Sequence, residues 1–267
     1  MPTLKIRTAV SWLLAPLLLI STLPAWGVDK AKDEETIKNA TAVLQAMLDS
    51  KVVPSTLLVT ANCILVLPGV KKFAVGVGGT GGRGPMTCRK GKNFSGDEWS
   101  APAMYTIGGA SAGLQVGGSS TDVVLLIMSP SAVNKVLQGK VKVGTDLTAA
   151  AGPSGATATG SVGGADILSY ARTKGLFAGI SLNGASLEPD SNADQRLYGK
   201  AVGAREIVLD NAVKATPAGQ SLVSLLEKLG SMAHLNRQIY QFDKAIERLP
   251  SYCFTPRREC DCGKRWG

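Results

Sequence analysis

The sequence predicts an α+β fold: a glycine-rich antiparallel sheet, barrel-like in its curvature, with flanking N- and C-terminal helices. Three observations carry this expectation. Short apolar segments bounded by turn signals recur from Asn62 to Leu187, the spacing of an antiparallel sheet or barrel. Glycine lies inside these segments as well as between them. In Tyr170–Gly184 (YARTKGLFAGISLNG), Gly175, Gly179 and Gly184 flank Leu176, Phe177, Ile180 and Leu182. A helix loses about 1 kcal/mol per glycine against alanine, whereas a strand accepts glycine where the sheet bends or another backbone comes close. This stretch therefore reads as a bent, largely buried strand pair. Helical periodicity, finally, belongs to the ends of the chain, at Ile37, Ala40, Leu44, Met47 and Leu48 and again at Leu222, Leu225, Leu226 and Leu229.

Taken in order, the chain opens with a targeting segment. Lys5 and Arg7 precede an apolar run from Ser11 to Leu23, and Ala25-Trp26-Gly27 offers small residues at the positions a signal peptidase reads. The run is shorter than the roughly 20 residues of a bilayer span, and Pro16 interrupts it. Residues 1–27 are thus expected to be a signal peptide cleaved after Gly27, with export to a periplasm or beyond. Loss of Lys5 and Arg7 takes the formal charge from +9 to +7. A basic exported chain favours anionic partners. Nucleic acid is excluded by that compartment and by the want of a recognition motif, which leaves anionic lipid headgroups or cell-wall polymers.

Asp29–Ser50 reads as an amphipathic helix. Asp33, Glu34 and Glu35 crowd its start and favour packing on the domain over lying on a membrane. Ser55–Ala61 makes a helical turn. Asn62–Leu67 is a buried strand ended by Pro68-Gly69. Lys72–Gly79 and Met86–Lys90 are strands around a glycine loop. Met104–Ile107, Ala112–Gly117 and Asp122–Ser129 follow, then a helix over Pro130–Gln138. Shorter strands are expected at Lys140–Val143, Asp146–Ala150, Ile167–Arg172, Leu176–Leu182 and Ala185–Leu187, with helices at Ala193–Lys200 and Ala204–Leu209. Thr216-Pro217 is a capped helix start. Its leucine stripe breaks at Gly230 and resumes at Leu235, Ile239, Phe242 and Ile246. Residues 28–230 form the domain, and 231–267 a helical extension with a Cys-rich tail. That extension packs on the domain or joins a second copy.

Two motifs invite an enzymatic reading. Gly76–Gly81 is a literal G-x-G-x-x-G, but the following Gly82-Arg83-Gly84-Pro85 cannot start the helix that a dinucleotide site requires; a glycine hairpin is expected. Gly109–Gly113 is a literal G-x-S-x-G, and Ser111, Asp166 and His234 fall in hydrolase order. The residues after Ser111 read as strand, so the nucleophile elbow is missing and no catalytic residue is assigned. Five cysteines leave an odd thiol. Cys63 and Cys88 are a candidate pair on neighbouring strands, and Cys253, Cys260 and Cys262 are too few for a zinc site. No metal or cofactor is expected.

What remains is charge. Lys71, Lys72, Arg83, Arg89, Lys90 and Lys92 fall in a window without Asp or Glu. They lie at the ends of expected strands and in the glycine loop, so several are expected to share one edge, where backbone N–H groups of Gly76–Gly84 would add phosphate donors. Arg172 and Lys174 stand beside the glycine-rich signature stretch.

That stretch resembles the signature of the SYLF lipid-binding domain family. Glu98–Ile127 (EWSAPAMYTIGGASAGLQVGGSSTDVVLLI), Val141–Gly155 (VKVGTDLTAAAGPSG) and Leu197–Lys200 (LYGK) agree in the same order, so the resemblance covers roughly Lys32 to Leu229. Asn183 departs from the family's usual Glu, and Cys63 from a common Gly. The resemblance implies a non-enzymatic protein that binds anionic, phosphoinositide-like headgroups through a basic surface. The family's eukaryotic members are associated with membrane remodelling and actin. Two other classes stay open: an envelope protein that forms homo-oligomers through its C-terminal helix, and a serine hydrolase using Ser111.

Overall fold

The computed structural model describes residues 25–75, 77–112, 117–153, 164–173, 175–180, 182 and 184–231. The expectations for residues 1–24, Lys174, His234, Leu235–Ile246 and the three C-terminal cysteines lie outside the described residues.

The sheet's nine strands are β1 (Cys63–Val75), β2 (Val77–Cys88), β3 (Ala103–Ala112), β4 (Gly117–Ile127), β5 (Val141–Lys142), β6 (Ala149–Ala151), β7 (Ile167–Thr173), β8 (Leu176–Gly179) and β9 (Ser186–Pro189). They follow the order β5-β9-β3-β2-β1-β4-β7-β6, with β8 hydrogen-bonded to β7. Every pairing is antiparallel except β6 with β7. The two edge strands are linked by only a few residues, and Val141, Val143 and Leu147 share one core with Ile167 and Ala171. The sheet is therefore curled into a half-barrel whose edges converge.

Strand alternation sorts the apolar side chains. Cys63, Leu65, Leu67, Val123, Leu125, Ile127, Tyr105 and Ile107 point into the curl, where the helices α3 (Pro130–Gln138) and α5 (Ala204–Val208) close the core with Val133, Val136, Ile207 and Val208. Ile64, Val66, Val124, Leu126, Leu168 and Tyr170 face outward. They are covered by α1 (Ala25–Asp49), α2 (Ser55–Thr60), α4 (Ser191–Tyr198) and α6 (217–231). Because both faces are buried there, Cys63–Leu67 of β1 and Val123–Ile127 of β4 read as unbroken apolar runs in the sequence. The α1 stripe Ile37, Ala40, Leu44 and Met47 is fully buried in this outer layer. On α6, Ala218, Leu222 and Leu226 do the same, so the first half of the C-terminal stripe packs on its own chain. Ser129 caps α3, its hydroxyl accepting from the Ala132 N–H, and Thr216 accepts likewise from Gly219 at the start of α6. Cys63 and Cys88 are directly opposite across β1–β2 and form a disulfide.

Three boundaries differ from expectation for definable reasons. Pro68-Gly69 does not end the first strand, because the register shifts there and β1 continues to Val75. Gly69 takes a left-handed φ of +61° and gives its N–H to the Asp122 carboxylate at 2.9 Å instead of to the ladder. A proline with no N–H is accommodated at such a bulge. The glycine loop is likewise a strand: β2 runs through it, Val75 and Val77 being the last pair of a tight hairpin. Ala112–Gly117 is not a strand of its own. Ala112 ends β3 opposite Val77, and Gly117 begins β4 opposite Ala74.

The signature stretch forms the β7–β8 hairpin, pairing Tyr170 with Gly179 and Thr173 with Leu176. Tyr170 lies across Gly152, where a Cβ would fall 2.0 Å from the ring, and its hydroxyl donates to the Pro153 carbonyl at 3.0 Å. Gly179 presses on the same peptide: its Cβ would meet the Gly152 oxygen at 2.3 Å. The spacing of Tyr170 and Gly179 thus encodes the closure of β8 over residue 152. Phe177 is buried by this arrangement while Leu176 stays exposed.

Candidate functional site

Of the eight basic residues singled out in the sequence, the seven described ones separate along the Lys/Arg divide. The three arginines are structural anchors. Arg89 is only 7% exposed. Its guanidinium donates to the carbonyls of Ala61, Gly96 and Val59 and lies 4.6 Å over the Trp99 ring. Burial lowers its pKa, against the pull of Asp97. Two of those carbonyls belong to the C-terminal end of α2, which a cation satisfies. Arg83 ion-pairs with Asp33 of α1, which is fully buried, and Arg196 of α4 reaches the same carboxylate at 2.8 Å. Arg172 grips Asp122 across β4–β7, its Nε at 2.7 Å, and lies 5.8 Å from the Phe177 ring. The planar fork of arginine suits such fixed pairing, where lysine remains hydrated.

The four described lysines do remain outside, but not together. Lys71 and Lys72 are exposed on β1, paired across the sheet with Gly81 and Thr80 on one side and Ser120 and Ser119 on the other. Neither has a carboxylate opposite it. Being consecutive in a strand, they project to opposite faces. Lys90, paired with Glu98 at 3.3 Å, and the exposed Lys92 lie past the Cys63–Cys88 end of the ladder. At about 3.3 Å per residue, the eight-residue step from Cys63 to Lys71 separates the two groups by about 25 Å. The expected single basic edge is therefore split. Nor are the β2 backbone donors open to phosphate, since β2 is laddered to β1 and β3 on both sides.

The Lys71–Lys72 end of the sheet is the hairpin end of β1 and β2, where β3 also ends and β4 begins. Among the described side chains at this end, the inward core includes Val70, Ile107, Val123 and Ala171. Past this level β2, β3 and β4 carry almost only Gly, Ala, Ser and Thr. The β7–β8 hairpin ends beside it and bears Leu176, 75% exposed. A single exposed leucine is ordinary by itself; its place beside Lys71 and Lys72 is what bears on binding.

The motif residues also find their places. Ser111 lies within β3, opposite Gly78, and a strand follows it rather than a helix. Asp166 is fully engaged elsewhere: Ser129 donates to one oxygen at 2.7 Å, and the Thr148 hydroxyl and N–H to the other. Burial opposes its ionisation, but these hydrogen bonds and nearby Lys135 outweigh that and hold its pKa below the usual value. It staples α3 to the start of β7. Among the described residues, no group of three His, Cys, Asp or Glu side chains is arranged to hold a metal ion. No described helix is long and apolar enough to cross a membrane.

Two buried acids escaped the sequence reading. Asp33 continues the α1 apolar stripe one turn before Ile37, and that position was the available signal. Asp194 of α4, fully buried, accepts from the Met104 N–H at 2.8 Å through one oxygen. Burial raises its pKa to about 7, countered by that hydrogen bond and reinforced by Asp190.

Comparison with known proteins bears on the whole arrangement. Residues 108–229 match the family model Ysc84, described as "Las17-binding protein actin regulator". The SH3 domain-containing protein PJ696.02 of Schizosaccharomyces pombe is 32% identical over 213 residues, covering 75% of this chain and 48% of the relative. Protein YSC84 of Saccharomyces cerevisiae is 31% identical over 183 residues, 66% of this chain and 38% of the relative. The Xenopus laevis SH3 domain-containing YSC84-like protein 1 is 27% identical over 215 residues, 79% and 62% respectively. The chain spans about half the length, or less, of the two fungal relatives.

Proposed function

Because this chain belongs to the SYLF (Ysc84) family, we propose that it is a non-enzymatic binding protein that docks on anionic phospholipid surfaces through the Lys71–Lys72 end of its sheet. One observation carries this reading: two exposed lysines, with no carboxylate opposite either, stand at the end of the sheet that also displays Leu176. Cations for the headgroups and an apolar side chain for the boundary beneath them are the two components of reversible peripheral binding. Arg83 and Arg172 brace the strands leading to that end through Asp33 and Asp122, while Arg89 anchors the opposite end. Export is part of the proposal and rests on the charged and apolar pattern of residues 1–27. Cleavage after Gly27 removes only the first three residues of α1 and leaves the Asp33 anchor in place.

The test is vesicle co-sedimentation of the purified chain at low and high salt. Each lysine near an anionic surface contributes on the order of 1 kcal/mol, so removing both weakens binding about thirtyfold. Lys71→Glu with Lys72→Glu should abolish binding to anionic vesicles with thermal unfolding unchanged. Wild-type binding should fall between 0.1 M and 1 M salt, as the Debye length shrinks from about 10 Å to about 3 Å. Undiminished binding by the folded double variant overturns the assignment.

A second reading comes from the names of relatives. Two of them are called LAS seventeen-binding protein 3, and the family description names an actin regulator, so a protein partner for this domain is the competing proposal. A variant that loses a protein partner while retaining vesicle binding would favour it.

A further inference from the structure

At the opposite end of β1 from Lys71 the structure contains a groove of about 460 Å³, formed where the end of α1, the α1–α2 link and α2 meet α6. Leu48, Val53, Leu58 and Val59 form one side, and Leu225 and Leu229 of α6 the other. Its volume falls in the range of small-ligand sites, and its walls are apolar with few polar groups, as such sites are. The charged groups that line it are Lys51, Lys228 and Asp49, which sum to one net positive charge. Lys51 is held in the left-handed backbone region, at φ +51°, where the chain leaves α1. A left-handed residue at this position is a common way to end a helix, and here it turns the chain from α1 toward α2 and sets Lys51 at the groove's rim. On the same helix, Leu222 and Leu226 are buried against the sheet, while Leu225 and Leu229 are only partly covered.

We infer that this groove binds one long-chain fatty acid, its alkyl chain along Leu58, Val59, Leu225 and Leu229 and its carboxylate between Lys51 and Lys228. The single net positive charge of the groove matches a singly charged head. The apolar side chains of Leu48, Val53, Leu58, Val59, Leu225 and Leu229 suit an alkyl chain, which is driven from water in proportion to its length. This site is separate from the membrane-docking end: the two lie at opposite ends of β1, whose ladder runs from Cys63 to Val75. It adds the capacity to carry a single lipid chain independently of any surface.

Laurate titrated into the full chain by calorimetry, below its micellar concentration, tests this. Laurate should bind one per chain. Acetate, which has the head without the chain, should not bind. Dodecyltrimethylammonium, with the same chain and opposite charge, should bind at least about tenfold more weakly. Val59→Glu and Leu225→Glu each place a carboxylate on a partly exposed wall and should cost laurate about tenfold or more. Lys51→Glu with Lys228→Glu changes exposed residues only, and should reverse the preference between the two detergents. Lys71→Glu with Lys72→Glu should leave laurate binding unchanged, and the groove variants should leave vesicle binding unchanged. Equal binding of the two detergents, or laurate binding that survives the wall substitutions, overturns the inference. So does a concentration-dependent dimer that Leu225→Glu dissolves, which would identify a second copy as the occupant. Tighter laurate binding in Phe242→Asp would instead show that the chain's own C-terminal stripe competes for the groove, and would overturn it too.

Discussion

Replacing Gly179 by alanine isolates the contact that gives the family signature its shape. The added Cβ would stand 2.3 Å from the Gly152 oxygen and 2.8 Å from its nitrogen, and 3.1 Å from the Ala151 carbonyl carbon. All three are backbone atoms, so no side chain can swing aside. Residue 152 is itself held by its N–H donating to the Ser169 carbonyl at 3.0 Å and by the Tyr170 ring above it. Relief requires β8 or β6 to leave β7, exposing Phe177 and Tyr170, both 5% exposed or less. Overpacking of this kind costs about 1–3 kcal/mol or more, and partial loss of two aromatic side chains takes the total to about 3 kcal/mol or above. Two glycines serve as internal controls. At Gly175 an added Cβ meets nothing within 4 Å, but φ is +83°, so alanine there costs about 1–2 kcal/mol from backbone strain alone. At Gly81 nothing lies within 4 Å and φ is ordinary, so alanine should stabilise by up to about 1 kcal/mol through the unfolded chain. Urea unfolding, followed by fluorescence and circular dichroism, measures the series. With a slope of about 1–3 kcal/mol/M, Gly179→Ala should lower the midpoint by about 1 M or more, with Gly175→Ala in between and Gly81→Ala at or above wild type. A Gly179→Ala midpoint equal to that of Gly81→Ala would refute the packing of β8 on residue 152.

Two further outcomes follow from the buried acids. Asp33→Ala leaves the Arg83 and Arg196 guanidiniums without their shared carboxylate, and should destabilise by about 3–5 kcal/mol; disruption of the exposed Lys32–Asp29 pair in the same helix should cost under about 1 kcal/mol. Equal effects in chemical unfolding would show that the Asp33 site is solvated. Asp194, with a folded pKa of about 7 against about 3.9 unfolded, binds its proton more tightly in the folded state, so its contribution to stability is greatest below pH 4 and declines as pH rises to about 7. The decline amounts to on the order of 4 kcal/mol. Asp194→Asn should therefore gain stability relative to wild type across that window and hold a constant difference above it; a difference that is flat from pH 4 to 8 would refute burial of the carboxyl.

The amino-acid sequence by itself determined the kinds of element and most of their positions. Pro130–Gln138 is a helix over the expected residues, Ile167 and Leu176 begin strands as expected, and the α1 stripe lies in the core. These features depend on neighbours within one turn or one hairpin, whose periodicity and capping are local. The family signature was legible for the same reason, since Tyr170 and Gly179 pair across a single hairpin. The course of β1 past Pro68 was not legible: the carboxylate that receives the Gly69 N–H comes from Asp122, 53 residues on. The fate of the basic residues was decided in the same way. Arg83 and Arg196 find Asp33 from distant elements, and Arg89 turns inward onto the end of α2. In a linear reading these arginines are indistinguishable from Lys71 and Lys72. Only tertiary structure separates them, because a cation's role depends on which acids and carbonyls the folded chain brings within about 3 Å, and sequence proximity along two antiparallel strands says nothing of which end each residue occupies.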